Sequence, residues 1–148
     1  MRRRLPGGFE LDDDVGRVDV DAVHASLSRD SYWARGRSLE VVRRAIAGSA
    51  RVVGLYRDRQ QVGFGRAISD QATIAYLADV YVLPAYRGRG LGLELVREII
   101  DGGPRWNVRW LLHTADAQAL YGKLGFSGER PPYPLMERRR IAGDAASQ

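Results

Sequence analysis

Residues 80–92 hold the side chains and spacing most suggestive of chemistry. Val80, Tyr81 and Val82 are strand formers, Pro84 cannot donate to a sheet ladder, and Gly88, Gly90 and Gly92 follow within a few positions. A helix predicted over 91–101 would start in this glycine-rich turn. The first N–H groups of a helix lack internal acceptors and carry partial positive charge, so bare backbone there suits a phosphate or pyrophosphate. A plain strand-to-helix turn would look the same from the glycines alone. Three phosphate-binding patterns can be compared with it. A Walker loop needs Gly-Lys-Ser/Thr, and the only lysine, Lys123, lies far downstream. A dinucleotide fingerprint needs Gly-x-Gly-x-x-Gly and an acid about twenty positions on. Here the third glycine, Gly92, falls one position early, and Val108-Arg109-Trp110 supplies no acid. What remains is Arg-x-x-Gly-x-Gly, matched by Arg87, Gly90 and Gly92.

Other chemistries are bounded by what is missing. With no cysteine there is no disulfide, no thiolate nucleophile and no cysteine metal site, and the two histidines, His24 and His113, are far apart in sequence. No metal constellation is expected. The net charge of +5 comes almost wholly from arginine, scattered among acids except at residues 2–4 and 138–140. No basic face with interleaved aromatics accompanies it, so nucleic acid is not an expected partner. No run of roughly 18 apolar residues exists to span a membrane, and the basic N-terminus lacks the apolar stretch of a signal peptide. The expected setting is cytoplasmic, with no membrane partner.

The 148 residues suffice for one domain with a real core, and 45% hydrophobic with 28% charged residues is ordinary for a globular chain. Residues 2–8 read as polar and loose, and 9–12 as a short first strand. Asp19 or Asp21 caps a helix to about Leu27, and Ser38 caps a second to Ala47. Strands follow at 51–56, 61–69 and 73–83, joined by short turns that imply an antiparallel meander. The strand at 108–113 is reached through helix 91–101, so it is predicted to lie parallel to the strand ending at Leu83. A helix at 116–124 stops at Gly125, and a last strand is expected at residues 135–139. The reading is a single α/β domain with a mixed sheet over 1–142, followed by a small polar tail at 143–148.

With these elements laid out, the sequence resembles the GCN5-related N-acetyltransferase (GNAT) superfamily. The glycine turn with its lead-in 79–87 is similar to that family's fourth strand and pyrophosphate-binding helix start. Residues 114–126, Thr-Ala-Asp-Ala-Gln-Ala-Leu-Tyr-Gly-Lys-Leu-Gly-Phe, resemble its second signature, departing at Thr114 where asparagine is frequent. The resemblance is firm over 73–127. It implies a GNAT-like fold with a mostly antiparallel sheet whose central parallel strands splay apart. It also implies acetyl-CoA as cosubstrate, with its pyrophosphate on the backbone of residues 87–92: Arg87, Gly88, Arg89, Gly90, Leu91 and Gly92. Arg89 would reach the nucleotide end or stay solvated. Pantetheine contacts would fall on Val80, Tyr81 and Val82, and Tyr121 would protonate the departing thiolate; otherwise Tyr121 is a core residue beside Leu120 and Phe126.

Acetyl transfer to an amine also needs a neutral nucleophile. Asp79 is the only acid in its strand, where acids are depleted. It could take the amine's proton through water, anchor a cationic substrate, or simply bond an arginine such as Arg66. Alternation sets it on the face opposite Val80 and Val82 unless a bulge intervenes. His113, ending its strand near the expected splay, is a substrate-side candidate. Tyr32 and Trp33, between the first two helices, either form the acceptor wall or cap the core. Without cysteine no acyl-enzyme thioester can form, so the expected reaction is direct attack by a primary amine in a ternary complex. The alternative is a coenzyme-A-binding sensor or interaction module with little turnover. The acceptor could be a small molecule or a protein terminus. Dimers are common in such families, which leaves a homodimer open.

Overall fold

The computed structural model describes residues 1–32, 34–128 and 135–139. Six strands form one sheet in chain order: β1 (Arg2–Leu5), β2 (Phe9–Asp12), β3 (Arg51–Arg57), β4 (Gln60–Ser69), β5 (Ile74–Val82) and β6 (Arg109–Leu111). The strands from β1 to β5 pair antiparallel, and β5 pairs parallel with β6 because a helix carries the chain between them. That helix, here α3, spans Leu91–Asp101. The helices α1 (Val20–Asp30) and α2 (Leu39–Ala47) precede β3, and a short α4 (Gln118–Gly122) follows β6.

The caps explain where the early helices begin. The Asp19 side chain accepts from Ala22 N–H, and the Ser38 hydroxyl accepts from Val41 N–H, each satisfying an orphan donor of the first turn. Two apolar clusters lie on opposite faces of the sheet. One joins Leu91, Leu95, Val96 and Ile99 of α3 to Leu11, Val53, Leu55 and Leu77. The other packs Val23, Leu27, Val42 and Ile46 of α1 and α2 on Val52 and Phe64. Val52 and Val53 thus divide between the faces as the strand period of two requires.

Several expectations needed correction. Residues 2–8 are not loose: β1 forms a hairpin with β2 through Gly7 and Gly8, both at positive φ. Arg3 ties this edge strand to α3, donating to Glu98 at 2.8 Å and to Glu94 at 3.1 Å. A strand carried by arginines and charge partners far along the chain has no apolar alternation to reveal it. The strand expected at 108–113 is only three residues long, and the helix expected at 116–124 is confined to Gln118–Gly122. Residues 135–139 form no strand. The tail at 143–148, and 140–142 before it, lie outside the described residues.

One irregularity shapes the site. Arg66 faces Ala78 and Phe64 faces Tyr81, so Gly65 alone opposes both Asp79 and Val80. This is a β-bulge on β5, with Asp79 as an extra residue at φ 55°. It breaks the alternation. Leu77 packs on the α3 face, whereas Asp79 two positions later turns its carboxylate to the α1–α2 face.

Candidate active site

Beyond Tyr76 the two parallel strands part. Only Ile74, Ala75 and Tyr76 pair with β6, at Arg109, Trp110 and Leu111. Two side chains fix the path of the departing chain. The Tyr76 hydroxyl meets His113 Nδ1 at 2.5 Å, and the Tyr32 hydroxyl accepts from Ala115 N–H at 2.9 Å. The remainder of β5 is paired on its β4 side alone. Leu83 N–H donates to Val62 O at 2.8 Å, which makes the neighbouring pair of Val82 and Gly63 a non-hydrogen-bonded one. The N–H and C=O of Val82 therefore point into the gap, and by the same alternation so do those of Val80.

The gap opens into a cavity of about 590 Å³ lined by the end of α1, by Val80, Tyr81 and Val82, by the glycine turn, and by α4. At one end, Gly88 and Gly90 sit at φ 79° and 75°. No side chain caps α3, and the first helix-type bond runs from Glu94 N–H to Gly90 O. The N–H groups of Gly88 to Leu93 have no acceptor among the described residues. A Cβ on Gly88 or Gly90 would meet nothing within 4 Å, so the cradle is open space held by backbone alone. Arg87 fixes this turn from below, its Nε donating to Val82 O at 2.9 Å. Donors at a helix start, open room and the Arg87 brace fit a pyrophosphate.

Tyr121 lines the cavity from α4 and packs edge-on to Phe126 at 5.8 Å. Its hydroxyl makes no hydrogen bond among the described residues. Burial, reinforced by Tyr32 and Asp116, pushes its pKa above the ordinary phenol value, so it keeps its proton at neutral pH. Tyr81 points to the α1–α2 side, where Gln61 Nε2 donates to its hydroxyl at 3.4 Å; burial raises its pKa too.

The remaining sequence candidates divide. Arg87, Gly88, Gly90, Leu91 and Gly92 all line the cavity, as does Tyr32. Arg89 does not, and its guanidinium lies 5.8 Å from the Tyr86 ring centre. His113 is also outside the lining, engaged with Tyr76, and Trp33 falls outside the described residues. Asp79 is 7% exposed and absent from the lining; its Oδ2 accepts from Arg66 Nε and from Arg37 Nη1, each at 2.8 Å. Of the three readings open for Asp79, the bond to Arg66 is the one this geometry contains, with Arg37 as a second partner. Sequence reasoning missed Ser26, Asp30, Asp116 and Lys123 in the lining. Nothing in the spacing of Ser26 and Asp30 marks them, whereas Asp116 and Lys123 fall inside the 114–126 signature; that the two pairs share a cavity is decided only in three dimensions.

The splayed strands, the bulge and the uncapped glycine turn mark out one kind of α/β fold, and comparison with known proteins gives its family. The model of the acetyltransferase (GNAT) family matches residues 20–126. The chain belongs to that family and is an N-acetyltransferase by class. It is 33% identical over 139 residues to the Gibberella zeae protein named as acetyltransferase FG08082, covering 79% of this chain and 77% of that one. Histone acetyltransferase TAP1 of Glycine max is 31% identical over 127 residues, 77% of this chain but only 54% of the relative. A crystal structure from Xanthomonas campestris pv. campestris, of a protein belonging to the GNAT family, superposes with a TM-score of 0.82. It is 39% identical and covers 89% of this chain and 93% of that one. Among the described residues no helix is long and apolar enough to cross a membrane.

Proposed function

We propose that the protein transfers an acetyl group from acetyl-CoA to a primary amine by direct attack in a ternary complex. The observation that carries this reading is the continuity of one cavity. It runs from the unpaired N–H groups of Gly88 to Leu93, along the gap-facing backbone of Val80 and Val82, to the protonated hydroxyl of Tyr121. Acetyl-CoA supplies the acetyl group as a thioester. The chain's own residues do the rest. The amides at the start of α3 hold the pyrophosphate, with Arg87 bracing their turn. The gap-facing N–H of Val80 or Val82 polarises the thioester carbonyl, acting as a preorganised donor. The acceptor gives up its ammonium proton to solvent and attacks as the neutral amine. As the C–N bond forms and the C–S bond breaks, Tyr121 Oη gives its proton to the leaving thiolate, and the proton shed by the acetylated nitrogen returns through water to the phenolate. Asp30, Tyr32 and Asp116 line the same cavity, and we assign them to the acceptor side, where the carboxylates of Asp30 and Asp116 favour an acceptor that arrives as an ammonium ion. The acceptor class is accordingly a cationic amine, on a small molecule or a protein terminus, and the reaction suits a cytoplasmic setting.

The test pairs calorimetric titration with a transfer assay on a panel of amines. Wild type should bind acetyl-CoA and acetylate at least one amine, and Tyr121→Phe should keep the affinity while kcat falls ~10²–10⁴-fold. Full activity in Tyr121→Phe would remove the general acid. Binding with no turnover on any amine would instead make the protein a coenzyme-A-binding module.

A further inference from the structure

The bulge at Asp79 is where five parts of the molecule meet. Its carboxylate takes Arg66 from β4 and Arg37 from the loop between α1 and α2. Arg66 also reaches Ser49 Oγ, just past α2, at 3.4 Å. The carbonyl of Arg37 meets His24 Nε2 of α1 at 2.9 Å. Opposite the bulge stands Gly65, where an added Cβ would come within 2.6 Å of Ile99 Cδ1 on α3 and 3.2 Å of Val80 Cγ2. Val80 is thus seated on bare backbone on one face, while its predecessor is gripped by two guanidiniums on the other.

Asp79 is a non-glycine residue at φ 55°, a conformation L-residues adopt infrequently and keep when their surroundings enforce it. Two ion pairs bear on it here. The carboxylate is almost fully buried, and both ion pairs close on the same Oδ2 at 2.8 Å. An ordinary extended residue at 79 would erase the extra position and restore strict alternation. The gap-facing backbone of Val80 and Val82 would then change phase with respect to β6.

We infer that Asp79 is a positioning residue: gripped by Arg37 and Arg66, it locks the β5 bulge and so aims the Val80 and Val82 backbone at the acyl-CoA, tying the acceptor-side loop of residues 31–38 to that aim. The clamp reaches both sides of the reaction, because that loop also carries Tyr32, which lines the cavity and holds Ala115 away from β5. The inference rests on the acetyl-CoA reading above, and part of its test is independent of it.

The experiment compares wild type with Asp79→Asn, Arg37→Gln and the double variant, and adds Asp79→Gly, which accepts φ 55° without a carboxylate. Asparagine can still accept from Arg66 Nε, which guards against simple unfolding. Amide hydrogen exchange at Tyr81 reads the bulge with no ligand present, acetyl-CoA titration reads its consequence, and the kcat–pH profile reads any role in proton transfer. Faster Tyr81 exchange and about tenfold weaker acetyl-CoA binding are expected in Asp79→Asn and in Arg37→Gln. The double variant should be little worse than either, and the pH profile should keep its shape. Asp79→Gly should recover more affinity than Asp79→Asn. Unchanged exchange and affinity in both single variants would overturn the inference. So would a kcat loss confined to Asp79→Asn with the low-pH limb of the profile removed, which would make Asp79 the base. A wild type that binds acetyl-CoA yet acetylates no amine would refute transfer alone, and exchange and affinity would still judge the clamp.

Discussion

The two edges of β5 are built to opposite ends. On the β4 side its pairing runs from Ser69 and Ala75 to Gly63 and Val82, interrupted only by the bulge. On the β6 side three residue pairs form and then stop. Backbone groups that are satisfied on the first edge are left facing a cavity on the second. The closed edge holds the sheet together, whereas the open edge provides donors for a ligand. Unsatisfied buried backbone is costly in a finished fold, so its concentration in one cavity marks the place where a ligand completes the structure.

Substitutions on the two edges should separate affinity from stability. The largest effect is expected at the open edge in Gly90→Val. A side chain at φ 75° would be strained by ~1–2 kcal/mol and would occupy the phosphate cradle. Acetyl-CoA binding should vanish in calorimetry while the far-ultraviolet spectrum stays native. Retained affinity would mean the cradle holds something else. At the closed edge, Phe64 pairs across from Tyr81 and is wholly buried. Phe64→Ala should cost about 3–5 kcal/mol in urea unfolding, with acetyl-CoA affinity nearly unaffected in the protein that remains folded.

A smaller effect should follow at the hinge between the edges. Tyr32→Phe removes the acceptor of Ala115 N–H, worth about 1 kcal/mol, and should weaken acetyl-CoA binding several-fold. No change would show that the splay is held without Tyr32.

The smallest effect at neutral pH belongs to Tyr56 on β3. Its hydroxyl is buried without a partner among the described residues, below the Arg17 guanidinium at 3.9 Å from the ring centre. Burial pushes its pKa up to about 12. The folded state therefore retains a proton that the unfolded chain loses near its ordinary value of about 10. This contribution to stability is complete below pH 10 and is lost as pH rises toward 12. Tyr56→Phe should be neutral or slightly stabilising at pH 7 and should unfold less steeply in that alkaline window. Equal alkaline sensitivity in both proteins would assign the transition to another tyrosine.

Much of this could be read from local patterns. Strand and helix positions over 39–101 followed from alternation, caps and turn glycines, because those signals act within a few residues. The glycine turn was legible for the same reason, since Gly88, Gly90 and Gly92 set a backbone path by themselves. Tyr121 was legible only through its similarity to a family signature. The charged β1 was not legible, because Arg3 finds Glu94 and Glu98 across most of the chain.

The sequence by itself therefore determined the elements, the uncapped glycine turn and the absence of any cysteine chemistry, all properties of adjacent residues. Only the tertiary structure decided which charges Asp79 meets. A carboxylate in a strand could serve as base, anchor or ion-pair partner. Its function depends on which charges reach it, and Arg37 and Arg66 reach it only after α1, α2 and β4 have packed against the bulge. The open edge of β5 was decided in the same way, since Tyr76, His113, Tyr32 and Ala115 must first fold together before β6 can be held away.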